Sequence, residues 1–175
     1  MLSLFHHQKK DVLEKRFAAA FDYEYVNQYH VNGFNFKKLP VICSDNSHTI
    51  QGVHWGLIPF WVKDSKQAQD LRSKTLNAKS ETAFDLPSFR GSISKKRCLV
   101  LADGFFEWMD EKKEKIPHFI SLKEQRAFVM AGIYDSWLDK EICEIIKSFS
   151  ILTCDANPLM AKIHNSKKEC LSYYL

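Results

Sequence analysis

The sequence predicts an α+β protein with a mainly antiparallel β sheet curled into a barrel and a few short helices. Three observations carry that expectation. Short runs rich in β-branched and aromatic residues recur between polar breaks from residue 39 onward. One early stretch shows a helical face and holds neither Gly nor Pro. No internal repeat, low-complexity segment or linker interrupts the chain, and 175 residues with 45% hydrophobic content suffice for one core and are too few for two ordinary domains. Residues 1–175 are therefore read as a single domain.

The helical stretch is KKDVLEKRFAAAF (9–21), where Val12, Leu13, Phe17, Ala20 and Phe21 gather near one face and Lys and Glu occupy the other. The strand-like runs are LPVICS, TIQGVHWGLIP, KRCLVLADGFFEWM, KIPHFISLK, AFVMAGIYDSW and FSILTC. Between them, the polar segment Asp64 to Lys79 predicts a helix that leads into a loop. The lysine-rich DEKKEK (110–115) reads as a hairpin tip, and Pro158 stands at a plausible helix start.

Composition removes several function classes. The charged fraction is 26% and no apolar run approaches the length that crosses a bilayer, so no membrane anchor is expected. The opening MLSLFHHQKK has the wrong order for a secretory signal, which makes the cytoplasm the expected location. Five cysteines form an odd set without a CxxC pair, so neither a disulfide framework nor a zinc site is indicated, and the thiols are expected to be buried or idle. Seven histidines without HExxH spacing make a metal hydrolase remote, and no metal or cofactor is expected. A net charge of +4 suits a polyanionic partner without requiring one.

Four segments could carry chemistry. In Trp55-Gly56-Leu57-Ile58-Pro59-Phe60-Trp61 the aromatic rings suit stacking on unpaired bases, or else they are core residues at a strand end. Around Asn77-Ala78-Lys79, the basic residues Lys74, Lys79, Arg90, Lys95, Lys96 and Arg97 are interleaved with Thr, Ser and Asn, as phosphate binding needs; a solvated face is the plain alternative. Glu107 stands among aromatic rings in ADGFFEW, a setting that disfavours a carboxylate's charge and fits it to move protons near neutral pH, or it is an ordinary ion-pair partner. His164, in ANPLMAKIHN, is available as a proton shuttle or as a hydrogen-bonded core residue.

Taken together, WGLIPFW, LNAKSE, ADGFFEW and ANPLMAKIHN, in this order and at these spacings, resemble the successive motifs of the SRAP family of abasic-site processing proteins (SOS response-associated peptidases). The resemblance runs from about Tyr29 to His164. It implies a barrel-like SRAP fold, a monomer, and single-stranded DNA with abasic sites as the partner in the DNA damage response. In that family the residue after the initiator methionine is a cysteine, whose amine and thiol close a thiazolidine on the abasic aldehyde. The resemblance implies catalytic roles for Asn77 (orienting the N-terminus and the sugar), Glu107 (shuttling protons during imine formation) and His164 (serving the ring-opened sugar or the leaving phosphate). It further implies DNA contacts from Lys79, Arg90, Arg97, Trp55, Trp61 and Trp108, with Lys79 replacing the motif's arginine and losing its bidentate geometry.

Two departures matter. Leu2 occupies the cysteine's place, and a large second residue should also keep Met1 attached, so the chain as written is not expected to form the thiazolidine. After Lys168 the family's Met-Pro-Val-Ile-Leu is replaced by Glu169-Cys170-Leu171-Ser172-Tyr173-Tyr174-Leu175, which suggests a domain missing its C-terminal part. With suitable synonymous codons, a shift of frame restores Met-Pro-Val-Ile-Leu-Ser at one end and Met-Cys-Tyr-His at the other. Both junctions lie beside Lys-Lys pairs, where adenine runs promote slippage. Frameshifts at both ends are therefore expected, and resequencing that finds both junctions in frame would remove the idea. The competing readings are a non-catalytic single-stranded DNA-binding module and an inactive relict with exposed sheet edges.

Overall fold

The computed structural model describes residues 3–111, 114–158, 160–163, 169–171 and 173–174. Its elements are β1 (Ser3–His6), α1 (Lys10–Phe17), β2 (Ala20–Phe21), β3 (Gln28–Asn32), β4 (Lys38–Cys43), β5 (Asn46–Trp55), α2 (Ser65–Arg72), β6 (Asn77–Lys79), α3 (Arg90–Ile93), β7 (Arg97–Ala102), β8 (Gly104–Glu111), β9 (Glu114–Ser121), β10 (Phe128–Asp139), β11 (Glu144–Asp155), α4 (Met160–Ile163), β12 (Glu169–Leu171) and β13 (Tyr173–Tyr174). The fold is α+β, as expected.

Five strands close a ring in the order β4–β5–β11–β10–β7. Four of its seams are antiparallel, and the fifth is a short parallel join of β5 to β11 at His54–Ser148 and Trp55–Phe149. Alternation along each strand sends one set of side chains inward. Leu39, Val41, Val53, Trp55, Val100, Met130, Phe149 and Ile151 fill the interior, with the Trp55 and Phe149 rings nearly parallel at 6.2 Å. Outside, Ile42, Ile50 and Leu101 pack against Leu13 and Ala19, so β4 is buried on both faces by the segment that carries α1. A second sheet, β3–β1–β8–β9, lies beside the barrel with β1 in its interior.

Tertiary pairing changed several local expectations. The first helix stops at Phe17 rather than Phe21, because Ala18 turns left-handed (φ 49°) and Ala20–Phe21 joins β5 in parallel. Glu14 then accepts the Phe21 N–H at 2.9 Å, and Val12 is left exposed. α2 begins where expected, with Asp64 accepting the Gln67 N–H at 2.8 Å, and ends at Arg72. Of the loop expected to follow it, Asn77–Lys79 is instead β6, paired in parallel with Ile151–Thr153.

The run from Lys96 to Met109 is two strands in different sheets. The break is Asp103, whose carboxylate accepts the N–H groups of His7 (2.5 Å) and Gln8 (2.9 Å) while its own N–H donates to the Phe5 carbonyl. Gly104 follows because a Cβ there would strike the Phe119 ring and come within 2.9 Å of the Ile120 carbonyl. β8 and β9 pair down to Glu111–Glu114, and Lys112 and Lys113 of the expected tip lie outside the described residues. Asn157 begins α4 by accepting the Met160 N–H at 2.9 Å. Among the described residues no helix is long and apolar enough to cross a membrane.

Candidate functional site

The site is built around the first described residue of β1. Ser3 is fully buried, facing Asn32 of β3 on one side and Phe106 of β8 on the other. An N-terminal strand in the interior of a sheet has both backbone edges satisfied, which holds it far more firmly than a free terminus. Glu107 follows Phe106 directly and is only 9% exposed. Leu4 lies opposite Phe105, so Phe105 and Glu107, two residues apart, share the sheet face that covers the barrel core. α4 packs against β8 and sends Met160 into that same core.

The segment bearing Asn77 meets this region through Gly33. Gly33 follows Asn32, and a Cβ built on it would sit 3.3 Å from both Leu76 and Trp55. Leu76, the residue before Asn77, is held by its carbonyl, which accepts the Trp55 indole N–H at 3.0 Å and the Ile151 N–H at 3.1 Å. Alternation on β6 then buries Ala78 and turns exposed Asn77 and half-buried Lys79 to the other side. Asn77, Glu107 and the start of β1 thus belong to three segments that meet at one end of the barrel. His164 lies outside the described residues.

The aromatic candidates separate. Trp55 is fully buried and its indole N–H is spent on Leu76, so the expectation that it stacks on DNA is corrected: it is a core residue. Trp61 is 40% exposed and Phe60 63% exposed. They line a surface hollow with Pro59, Pro87, Arg90 and Asp135. Trp108 is half-buried and, by alternation, points to the sheet face opposite Glu107, with Phe106, Phe119 and His30 on that side. Arg97 is exposed on β7, three strands around the barrel from β6, so the structure does not bring it beside Asn77.

Three residues not singled out from sequence support this region. Asp135, buried on β10, accepts the Phe60 N–H at 3.0 Å and the Lys96 ammonium, pinning the loop that bears Trp61. Arg72 lies over the Phe36 ring at 4.6 Å and donates to the carbonyls of Phe36 and Trp55; burial lowers its pKa. Asn32 accepts the Phe34 N–H at 3.0 Å. The available signal for Asp135 was a carboxylate inside the apolar run AGIYDSW, which is costly to bury without partners. Neither Arg72 nor Asn32 carries a comparable signal. Among the described residues no three His, Cys, Asp or Glu side chains are grouped to hold a metal ion.

A five-stranded barrel with its N-terminal strand enclosed in a flanking sheet, next to a buried carboxylate and an exposed amide, defines an α+β barrel protein whose candidate site gathers at the chain's start. The chain belongs to the SRAP family: the sequence model described as SOS response associated peptidase (SRAP) matches residues 3–172. It is 38% identical over 128 residues to the abasic site processing protein YoqW of Bacillus subtilis, covering 73% of this chain and 55% of that protein. It is 30% identical over 138 residues to the abasic site processing protein HMCES of Xenopus tropicalis, covering 69% and 41% respectively. The chain therefore spans about half the length of these relatives. A crystal structure of a Bacteroides thetaiotaomicron protein superposes with a TM-score of 0.92 at 41% identity, covering 99% of this chain and 76% of that one. One from Bordetella bronchiseptica superposes at 0.82 with 24% identity, covering 99% and 82%, and supports the fold alone.

Proposed function

We propose that this chain is an abasic-site processing protein that binds single-stranded DNA at a ring-opened abasic sugar, working as a soluble cytoplasmic monomer in the DNA damage response with residues 1–175 as one domain. The observation that carries the reading is the meeting of three segments, bearing Ser3, Asn77 and Glu107, at one end of the barrel. The similarity to YoqW and HMCES, both abasic site processing proteins, supports the substrate class.

In this reading Asn77 orients the reacting amine and the sugar, Glu107 passes protons, and His164 serves the opened sugar or the leaving phosphate. Lys79 and Arg90 hold phosphates as charged donors, and Trp61 stacks on a neighbouring base. Trp108 and Arg97 belong to more distant parts of the strand's path. An α-amine adds to the aldehyde and loses water to form an imine. A neighbouring thiol then adds across the C=N bond while nitrogen takes up the proton, and the five-membered ring makes the adduct durable.

Leu2 favours a second reading, a DNA-binding module without that final step. The experiment incubates the protein, beside its Leu2→Cys variant, with single-stranded DNA carrying one abasic site and examines a denaturing gel after heating. A heat-stable adduct from the variant alone supports a working SRAP scaffold. DNA binding with no adduct from either supports the binding module, and neither binding nor adduct overturns both readings.

A further inference from the structure

Cys43 and Cys98 face one another across β4 and β7. The Ser44 N–H donates to the Arg97 carbonyl at 2.9 Å, so the next pair inward, Cys43–Cys98, is of the non-hydrogen-bonded kind. Cα atoms in such pairs stand about 4.5 Å apart, inside the roughly 4.4–6.8 Å that a disulfide spans. Both side chains are buried in the barrel interior, on the face shared with Val41 and Val100.

The thiols are free in this structure, and Cys98 turns its sulfur toward β10. Its Sγ lies 2.9 Å from where a Cβ of Gly132 would be, on the strand at its other side. The missing Cβ of Gly132 thus leaves room for the Cys98 sulfur beside β10, and rotation about χ1 carries it toward β4. Cys43 ends β4, one residue before exposed Ser44. Burial pushes the Cys43 thiol up to about 12 and raises that of Cys98 as well, so the pair reacts slowly. Lys147, its ammonium bonded to Asp45 at 2.7 Å and Gln51 at 2.8 Å, opposes this at Cys43, while Asp45 and Asp22 add to it.

We propose that Cys43 and Cys98 form an oxidation site, in which a peroxide converts the cross-strand dithiol into a disulfide tying β4 to β7. The Cys43 thiolate attacks one peroxide oxygen, the O–O bond breaks, and the departing hydroxide takes the Cys43 proton to leave water and a sulfenic acid. The Cys98 thiolate attacks that sulfur, the S–O bond breaks, and the second hydroxide leaves as water with the Cys98 proton. Two thiols lose two electrons and two protons while the peroxide is reduced to two waters. The bond closes the segment between residues 43 and 98, which carries Trp61, Asn77, Lys79 and Arg90. Cross-strand disulfides of this kind constrain the unfolded chain and remain reducible.

The test treats the purified chain with hydrogen peroxide, alkylates remaining thiols under denaturing conditions and maps tryptic peptides by mass spectrometry, with Tm measured in parallel. The expected result is the Cys43 peptide joined to the Cys98 peptide with the loss of two hydrogens, together with a Tm raised by about 5 °C. Dithiothreitol should reverse both, and Cys43→Ser and Cys98→Ser should each remove both, whereas Cys143→Ser should remove neither. Recovery of Cys43 and Cys98 as free thiols after exposed Cys143 has been oxidised overturns the proposal. So does a link confined to Cys154 and Cys170, which are also opposite one another, across β11 and β12. The peptide map of the unmodified chain decides the matter even where a serine variant fails to fold.

Discussion

The carboxylate of Asp135, 2% exposed, accepts the backbone N–H of Phe60 at 3.0 Å and also bonds the ammonium of Lys96. One strand of the barrel therefore fixes the loop on which Trp61 is displayed. Trp137, two residues along β10, repeats the arrangement by donating its indole N–H to the Val62 carbonyl at 2.7 Å. Ser148 of β11 does the same from its hydroxyl, which accepts the Ile58 N–H at 2.7 Å.

Asp135→Ala should leave the Phe60 N–H without its acceptor and cost about 2 kcal/mol, the usual order for orphaning a buried donor, with the Lys96 contribution reduced by its partial exposure. Asp135→Asn keeps an acceptor and should cost less. Urea unfolding of the two variants beside the parent measures both, and equal losses would show that Asp135 holds the loop by charge alone.

Acid should weaken the fold through His6. Burial depresses its pKa from 6.5 to about 4, so between those values the unfolded chain holds a proton that the native chain refuses. Stability is fully present above about pH 6.5 and is lost as pH falls toward 4, by about 3 kcal/mol in all. Denaturant midpoints from pH 7.5 to 4 should show this slope, and His6→Asn should flatten it.

Trp55 and Trp61 should respond in opposite ways. Trp55→Ala empties the barrel core and should cost about 3–5 kcal/mol of stability. Trp61→Ala removes a partly covered ring whose indole N–H reaches the Pro87 carbonyl at 3.3 Å and should cost about 1 kcal/mol of stability, while weakening single-stranded DNA binding by about 1–3 kcal/mol, the value of one base–aromatic stack. Thermal unfolding and fluorescence anisotropy with a short oligonucleotide separate the two effects.

In a Leu2→Cys background, Glu107→Gln should slow formation of the DNA adduct by about 10²-fold if the carboxylate moves protons during imine formation. The size of the residue is kept, so Tm should hold within a few degrees. An unchanged rate, read from single-turnover gels, would remove Glu107 from that role.

Asp64→Ala removes the acceptor for the Gln67 N–H at the start of α2 and should cost about 1 kcal/mol. Circular dichroism melts suffice to measure it.

What the sequence determined by itself was local or motif-borne. The strand-like runs from residue 39 to Cys154 fall largely on strand, apart from 56–59 beyond the end of β5 and the break at Asp103; Asp64 and Asn157 begin helices through their own side chains, and the four motifs identify the family. The tertiary structure decided whatever depends on a distant hydrogen-bond partner or on which face is covered. Asp103 divides one apolar run into two sheets because the N–H groups that satisfy its carboxylate come from His7 and Gln8. Residues 77–79 became a strand because β11 offers them an unpaired edge, and α1 ends early because β5 takes Phe21. Trp55 and Trp61 belong to one seven-residue motif, yet closure of β5 onto β11 buries the first beside Phe149 while the loop held by Asp135 leaves the second in solvent. Periodicity records which side chains can share a face, whereas burial and backbone pairing are set by segments dozens of residues away.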